Sequence, residues 1–265
     1  MDGMPFDAKA LRSMLAGRNL GGLLEYRETV DSTNRVALRL AREGAAEGTV
    51  VLADSQTAGR GRLNRSWQSP AGTNLYFSVI LRPTVAPPDA AQITLLAGVA
   101  VAEAVSSVCH AGVGIKWPND VRIRGRKVCG ILTEMRIEGE EVAVIVGIGL
   151  NVNIRKEDFD AGHKDTATSL REETGRDQSR EELFVLLCER LEQWYGAFLK
   201  DGFAAVRAGW LLWSEMAGKR VRILFRDEAQ EGIVAGIDRD GALLISDGRG
   251  ELRRITAGDA TILKE

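Results

Sequence analysis

The spacing of hydrophobic residues along this chain changes period repeatedly, and each change predicts a new element. Leu11 and Leu15 recur at helical spacing within residues 8–15, before Gly17, Gly21 and Gly22 interrupt the pattern. Residues 25–30 read as a strand. Asp31-Ser32-Thr33-Asn34 then precedes Val36, Ala37, Leu40 and Ala41, and Gly44 follows: a cap cluster, an amphipathic helix and a glycine stop. Residues 49–53 form a short strand expected to be buried on both sides, and residues 74–81 form another. A long Ala/Val/Leu helix is predicted over 89–109. Strand signals follow at 114–117, 121–123, 128–136 and 142–153. The short turns Arg124-Gly125-Arg126 and Glu138-Gly139-Glu140 pair the last three as antiparallel hairpins. Two helices with apolar stripes span 181–200 and 203–216.

Beyond Gly218 the texture changes to five short strands, at 221–225, 232–237, 242–246, 251–255 and 260–263, with Asp240-Gly241 and Asp247-Gly248 as turn pairs. These predict a small β-barrel. The expected organisation is therefore a larger unit over 1–217 and a small barrel over 218–265. The first would be α+β, a mixed, largely antiparallel sheet packed with helices. A chain of 265 residues has room for both.

Composition narrows the function. Apolar residues are 45% and charged residues 27%, an ordinary globular mix, and the formal charge is −2. A chain-wide nucleic-acid binder normally carries a basic surplus, so no DNA partner is expected. The longest apolar-plus-glycine run, 142–150, falls well short of the ~20 residues that span a bilayer, so no membrane association is expected. Met1-Asp2-Gly3 opens without a basic-then-apolar leader, and the scattered Cys109, Cys129 and Cys188 suit a reducing compartment; a cytoplasmic location is expected. With only His110 and His163, no protein-held metal is expected.

One stretch stands apart. Residues 55–88 contain no Asp or Glu but carry Arg60, Arg62, Arg65 and Arg82. Three of these arginines lie in Gly59-Arg60-Gly61-Arg62-Leu63-Asn64-Arg65. Glycines let backbone approach a ligand, and arginines present forks matched to phosphate and carboxylate oxygens, so the segment reads as an anion clamp or, more plainly, as a solvated loop. No Gly-Lys-Ser/Thr follows, which excludes a Walker-type phosphate loop, and no third glycine opens a Rossmann helix. Other features carry similar pairs of readings. Ser32-Thr33-Asn34 is a helix cap or a polar recognition point. Lys116-Trp117-Pro118-Asn119-Asp120 ends a strand in a turn. Lys127, at the mouth of a buried strand, reaches water or a reacting group. Gly147-Ile148-Gly149 bares backbone on one sheet face, for a ligand or for close packing.

Taken in order, these segments resemble one family. Ser32-Thr33-Asn34, Gln56 through Arg62 with Trp67, Lys116 through Asp120, Lys127 through Leu132, Gly147 through Asn153, and Thr168-Ser169-Leu170 are together similar to the biotin–protein ligases. The likeness covers about residues 25–265, with no N-terminal winged helix-turn-helix, so the ligase-only form is expected. It implies a class II synthetase-like catalytic domain with an SH3-like C-terminal barrel. It also implies activation of biotin by ATP, with Mg²⁺, to biotinyl-5′-AMP, then transfer to a lysine of a biotin carboxyl-carrier protein or domain of acetyl-CoA or related carboxylases.

Roles follow from the resemblance. Lys127, Arg60 and Arg62 are the catalytic cations. Biotin contacts are expected from Ser32, Thr33, Asn34, Gln56, Gly59, Arg60, Gly61, Arg62, Lys127, Gly130, Gly147 and Gly149, the glycines making room for the ring. The adenylate falls to Arg60, Arg62, Arg65, Trp67, Lys116, Asn119, Lys127 and Asn151, and the acceptor lysine to Asn119 and Asp120. Only Ala58 and Leu63 offer apolar anchorage between Thr57 and Arg65, so the loop is expected to move without ligand. A lipoate–protein ligase and a non-catalytic binding module are the rivals. Both a monomer and a homodimer through a strand edge are allowed.

Overall fold

A computed structural model describes residues 5–84, 89–110, 112–138, 141–226 and 228–263. The opening Met1-Asp2-Gly3 and the turn residues Gly139 and Glu140 lie outside that set. A short helix α1 (Ala8–Met14) leads into a seven-stranded sheet of β1 (Leu23–Val30), β2 (Thr49–Gln56), β3 (Leu75–Leu81), β4 (Val113–Lys116), β5 (Asp120–Ile123), β6 (Arg126–Glu138) and β7 (Glu141–Leu150). Their order is β1-β2-β3-β7-β6-β5-β4. Only β1 and β2 run parallel, because helix α2 (Thr33–Arg42) crosses over between them; every other neighbour is antiparallel. The Arg124-Gly125 turn takes positive φ at both residues, the geometry that a tight two-residue hairpin needs.

The two faces of this sheet are covered unequally. On one, Phe77, Val79, Val146 and Ile148 pack under α3 (Ala90–Val108) and α5 (Arg180–Asp201), with Trp210 of α6 (Phe203–Trp213) in the same core. On the other, α2 seats Val36, Ala37 and Ala41 on Val51, Ile80 and Ile145. It covers only one end. Beyond it the face carries Ser78, Gly130, Gly147 and Gly149, where no bulky side chain rises from the sheet. Register places Gly149 across from both Tyr76 and Gly130, and Gly147 across from Ser78 and Leu132. The alternate glycines thus leave a hollow beside the start of α2. The short helix α4 (Leu170–Thr174), capped by the Ser169 hydroxyl, had no signal in the hydrophobic pattern.

The C-terminal strands are β8 (Arg220–Phe225), β9 (Glu228–Ile237), β10 (Leu243–Ser246), β11 (Leu252–Ile255) and β12 (Asp259–Ile262). They form an antiparallel sheet in the order β11-β10-β9-β8-β12. The barrel expected from the pattern is not closed among the described residues: β11 and β12 are the two edges and do not pair with each other. Edge strand β11 instead presents Arg253 and Arg254 to Asp247 and to Asp238 and Asp240, a charged edge that discourages further pairing. This sheet docks on the larger one. The Trp117 indole N–H donates to the Gly241 carbonyl at 3.2 Å, and Met216 joins the common core. Among the described residues no helix is long and apolar enough to cross a membrane.

Candidate active site

The hollow opens into a cavity of about 1070 Å³ whose two ends differ in chemistry. At one end, hydrogen bonds among neutral groups are already closed. The backbone N–H of Thr33 donates to Gln56 Oε1 at 2.9 Å, so a side chain from the end of β2 caps α2; the Ser32 hydroxyl makes no capping bond. That corrects the expectation of a local Ser cap. Gln56 Nε2 donates to Ser69 Oγ, and Ser69 Oγ to the Trp67 carbonyl. Ser78 Oγ donates to Asn34 Oδ1 at 2.7 Å and lies 2.8 Å from Thr33 Oγ1. Asn34 Nδ2 in turn reaches the Leu132 carbonyl and Glu134 Oε2. Ser32, Thr33, Asn34 and Ser78 are all buried, so these bonds hold with little competition from water.

The other end is crowded with ion pairs. Lys127 Nζ is 2.6 Å from Asp120. Lys116 lies 4.0 Å from Asp120 and 3.5 Å from Asp259 of β12. Arg65 meets the same Asp259 at 2.6 Å, and Arg60 pairs with Glu134 at 3.0 Å. Arg62 donates to Asn119 Oδ1 at 3.1 Å and to the Gly258 carbonyl at 3.2 Å. Burial lowers the Arg62 pKa, and the Asp259 and Asp120 carboxylates oppose that shift. Burial also pushes the Asp259 carboxyl up, but Lys116 and Arg65 outweigh it and hold it below the ordinary value.

Several sequence expectations change shape here. The Gly59–Arg65 loop is not unanchored. The Gly61 N–H donates to the Arg65 carbonyl at 2.7 Å, Arg60 bridges to Ser66, and the arginines tie the loop to Asn119 just before β5, to β6 and to β12. Its turn carries Leu63 and Asn64 at φ 55° and 58°, a region bulky side chains avoid. Gly59 does not line the cavity. A Cβ there would strike the Trp67 carbonyl and Ser69 Oγ, so the glycine lets two backbone segments meet.

Side chains close in beside the sheet glycines at the floor of the hollow. A Cβ on Gly147 would overlap the Asn34 amide, and one on Gly149 would lie 2.5 Å from Trp67 Nε1. Gly130 is likewise closed to a methyl by Trp67 and Lys127. These glycines therefore seat side chains that line the cavity, and all three border the cavity themselves. Trp67 stands with Lys127 Nζ 5.2 Å from its ring centroid, and its own buried indole N–H has no acceptor among the described residues. Asn151 is held by donating to the Thr168 carbonyl and lines the wall.

Apart from Gly59, every residue given a catalytic, biotin, adenylate or acceptor role from the sequence borders the cavity. The fold adds lining groups that the motifs did not indicate, Asp259, Thr261, Lys219, His163 and Phe159, and sets Glu134 behind the lining, on Arg60 and Asn34. Glu134 carried a usable signal, since it lies two and four residues beyond Leu132 and Gly130 on one face of β6. Asp259 carried none, being 139 positions from Asp120 in the sequence. Cys129, whose thiol is pushed far up by burial, is no nucleophile here. The site therefore offers cations, hydrogen-bond donors and an indole, which suits polyanion binding and charge stabilisation. Among the described residues no group of three or more His, Cys, Asp or Glu could hold a metal ion.

Known proteins are similar to this chain in sequence and fold. Residues 26–151 match the biotin/lipoate A/B protein ligase family, and residues 217–262 match the biotin protein ligase C terminal domain. A bifunctional ligase/repressor BirA of Bacillus spizizenii is 39% identical over 243 residues, covering 91% of this chain and 74% of that protein. A biotin–[acetyl-CoA-carboxylase] ligase of Paracoccus denitrificans is 38% identical over 222 residues, 81% of this chain and 90% of its own. The biotin protein ligase of Aquifex aeolicus, solved in complex with biotin and ATP, superposes with a TM-score of 0.78 at 32% identity, covering 92% of this chain and 99% of that one. With an uneven sheet, a glycine-floored hollow and a matching C-terminal domain, the chain belongs to the biotin/lipoate A/B protein ligase family, in its biotin protein ligase branch.

Proposed function

We propose that this protein activates biotin with ATP to biotinyl-5′-AMP and then passes biotin to one lysine of a biotin carboxyl-carrier protein or domain of acetyl-CoA or related carboxylases. The observation that carries this reading is the single cavity joining a neutral hydrogen-bonding end to a cationic one. Biotin has both characters, a neutral ureido ring and a carboxylate. In our reading, Ser32, Thr33 and Gln56 meet the ring, because a buried polar ring needs its donors and acceptors matched. Arg60, Arg62 and Lys127 meet the carboxylate and the α-phosphate. Arg65, Lys116, Asn119 and Asn151 serve the nucleotide, with Trp67 beside it. Residues 1–217 form the catalytic unit and 218–265 the smaller one.

The first step joins two anions. A carboxylate oxygen of biotin attacks the α-phosphorus, the bond to the β-phosphate oxygen breaks, and pyrophosphate leaves. Biotin is already ionised at neutral pH, so the site needs charge neutralisation and alignment more than a base. Lys127 and Arg62 supply it where negative charge grows, at about 3–4 kcal/mol per donor. In the second step a neutral lysine amine attacks the acyl carbon, AMP departs, and the ammonium proton is lost. Asp120 receives that proton in this scheme, freed from Lys127 once Lys127 has moved to the adenylate. Mg²⁺ enters as MgATP, held mainly by phosphate oxygens: the cavity carboxylates Asp120 and Asp259, and Glu134 behind Arg60, are each engaged by a cation.

Incubation with biotin and MgATP, followed by mass spectrometry, should reveal bound biotinyl-5′-AMP. Pyrophosphate exchange driven by lipoate but not by biotin would reassign the substrate. A gel shift that strengthens at low salt would instead support a nucleic-acid-binding module.

A further inference from the structure

None of the carboxylates at the cationic end belongs to the arginine loop. Glu134 comes from β6 and Asp120 from β5, while Asp259 comes from β12 of the C-terminal sheet. Asp120 also meets two cations, Lys127 and Lys116, but both belong to the large sheet. Asp259 binds Arg65 of the loop at 2.6 Å and Lys116 of β4 at 3.5 Å, linking the loop to that sheet. Its two oxygens therefore span a gap between two cations, as two oxygens of a phosphate group would. The adjoining Gly258 carbonyl accepts from Arg62, so one β12 corner engages two arginines of the loop. Arg65 is itself 68% exposed and makes no other ion pair among the described residues, so releasing Asp259 leaves it free to swing.

We infer that Asp259 is a built-in stand-in for a phosphate group of the nucleotide: it occupies Arg65 and Lys116 in the ligand-free protein and is displaced from them when the polyphosphate binds. The inference rests on the proposed nucleotide site and adds a competing anion from the C-terminal sheet. Charge balance favours it. Five cations converge on this end, and Asp259 spares two of them the repulsion they would feel with the cavity empty of anions. The same contact gives the small sheet a physical link to nucleotide binding, since a polyphosphate that takes Arg65 must break the tether to β12. The depressed Asp259 carboxyl pKa agrees with the engagement.

The test is isothermal calorimetry of the whole protein with magnesium pyrophosphate, in the absence of biotin. Wild type must bind it; no binding at all would sink the nucleotide-site reading itself. Asp259→Asn should then bind about fivefold more tightly, the size of an exposed-to-half-buried ion pair lost as a competitor, and Asp259→Glu should return to wild type. Unchanged or weaker binding by Asp259→Asn would overturn the stand-in and leave Asp259 a purely structural tether. Should Asp259→Asn fold poorly, the wild type still decides. The carboxyl ¹³C titration of Asp259 should move up toward the ordinary range when pyrophosphate saturates the protein, because the ligand removes Lys116 and Arg65 and brings its own negative charge. A titration that stays put overturns the inference.

Discussion

The two ends of the cavity are stabilised in opposite ways. Around Asn34 the donors and acceptors are mutually satisfied and, apart from Glu134, neutral, so this end is already shaped before any ligand arrives. Around Lys127 the cations are half-exposed and each is occupied by a carboxylate or carbonyl that a stronger anion can displace. A neutral network of this kind is costly to disturb, because a stranded buried group loses its full hydrogen bond. A half-exposed ion pair costs little to exchange. The comparison teaches where to look for each kind of defect. Damage at the neutral end should appear as lost stability and weaker biotin binding, and damage at the charged end as lost chemistry in a folded protein.

The largest effect is expected from Lys127→Ala. Adenylate formation should fall by roughly 10²–10³. The melting temperature should hardly move, since Asp120 keeps Lys116 as a partner. Rapid-quench measurement of biotinyl-5′-AMP together with calorimetric melting checks both halves, and a wild-type burst would remove Lys127 from the chemistry. Next is Asp120→Asn, which should slow transfer from preformed biotinyl-5′-AMP to a carrier domain by roughly 10² while leaving the affinity for biotin intact. Equal transfer by the variant would end the proton-acceptor role. At the neutral end, Gly147→Ala forces a methyl into the Asn34 amide. It should cost about 1–3 kcal/mol of stability and weaken biotin binding by about tenfold, read from melting and equilibrium titration. A variant that melts normally yet cannot form the adenylate would break the division between the two ends.

Periodicity and turn chemistry made most of this architecture legible. The strand signals at 128–136 and 142–153, with Arg124-Gly125 between strands, are enough to place β5, β6 and β7 side by side. Motif order carried the site, because Ser32, Gln56, Arg62 and Lys127 all reach one cavity although nearly a hundred residues separate the first from the last. What sequence could not disclose is what faces what. The acid-free run 55–88 predicts a loop of uncompensated arginines, yet folding brings Glu134, Asn119 and Asp259 onto those arginines. Local composition is blind to partners supplied by other strands. The glycines show the same limit: alternate positions 147 and 149 announce a bare face, but only the fold reveals that Asn34 and Trp67 fill it. The short strands after Gly218 announce a β unit, while whether its edges meet depends on twist and register that no turn residue encodes.

Acid should separate the two ends with the smallest effect of the set. The Asp259 carboxyl is held below its ordinary pKa by Lys116 and Arg65 despite the opposing pull of burial. A group whose folded pKa is depressed contributes stability that is complete above its unfolded value, near 3.9, and is lost as pH falls through the folded value. Melting temperature should therefore show no contribution from this group between pH 7 and 5, and a decline should begin only below about pH 4. Other depressed carboxylates, Asp238 and Asp31 among them, decline over the same range, so the informative quantity is the difference between wild type and Asp259→Asn. That difference should be constant near neutrality and shrink toward zero in acid, since protonated Asp259 has no charge left to lose. Added salt should shrink it as well, because Arg65 is open to solvent. The hydrogen bonds of Ser78 and Thr33 with Asn34 and Gln56 contain no titrating group and should survive the same pH range. A wild-type-minus-variant difference that grows in acid would mean that Asp259 stabilises the β12 corner through its hydrogen-bonding shape rather than its charge, and the contrast between a neutral and an electrostatic end would lose its clearest marker.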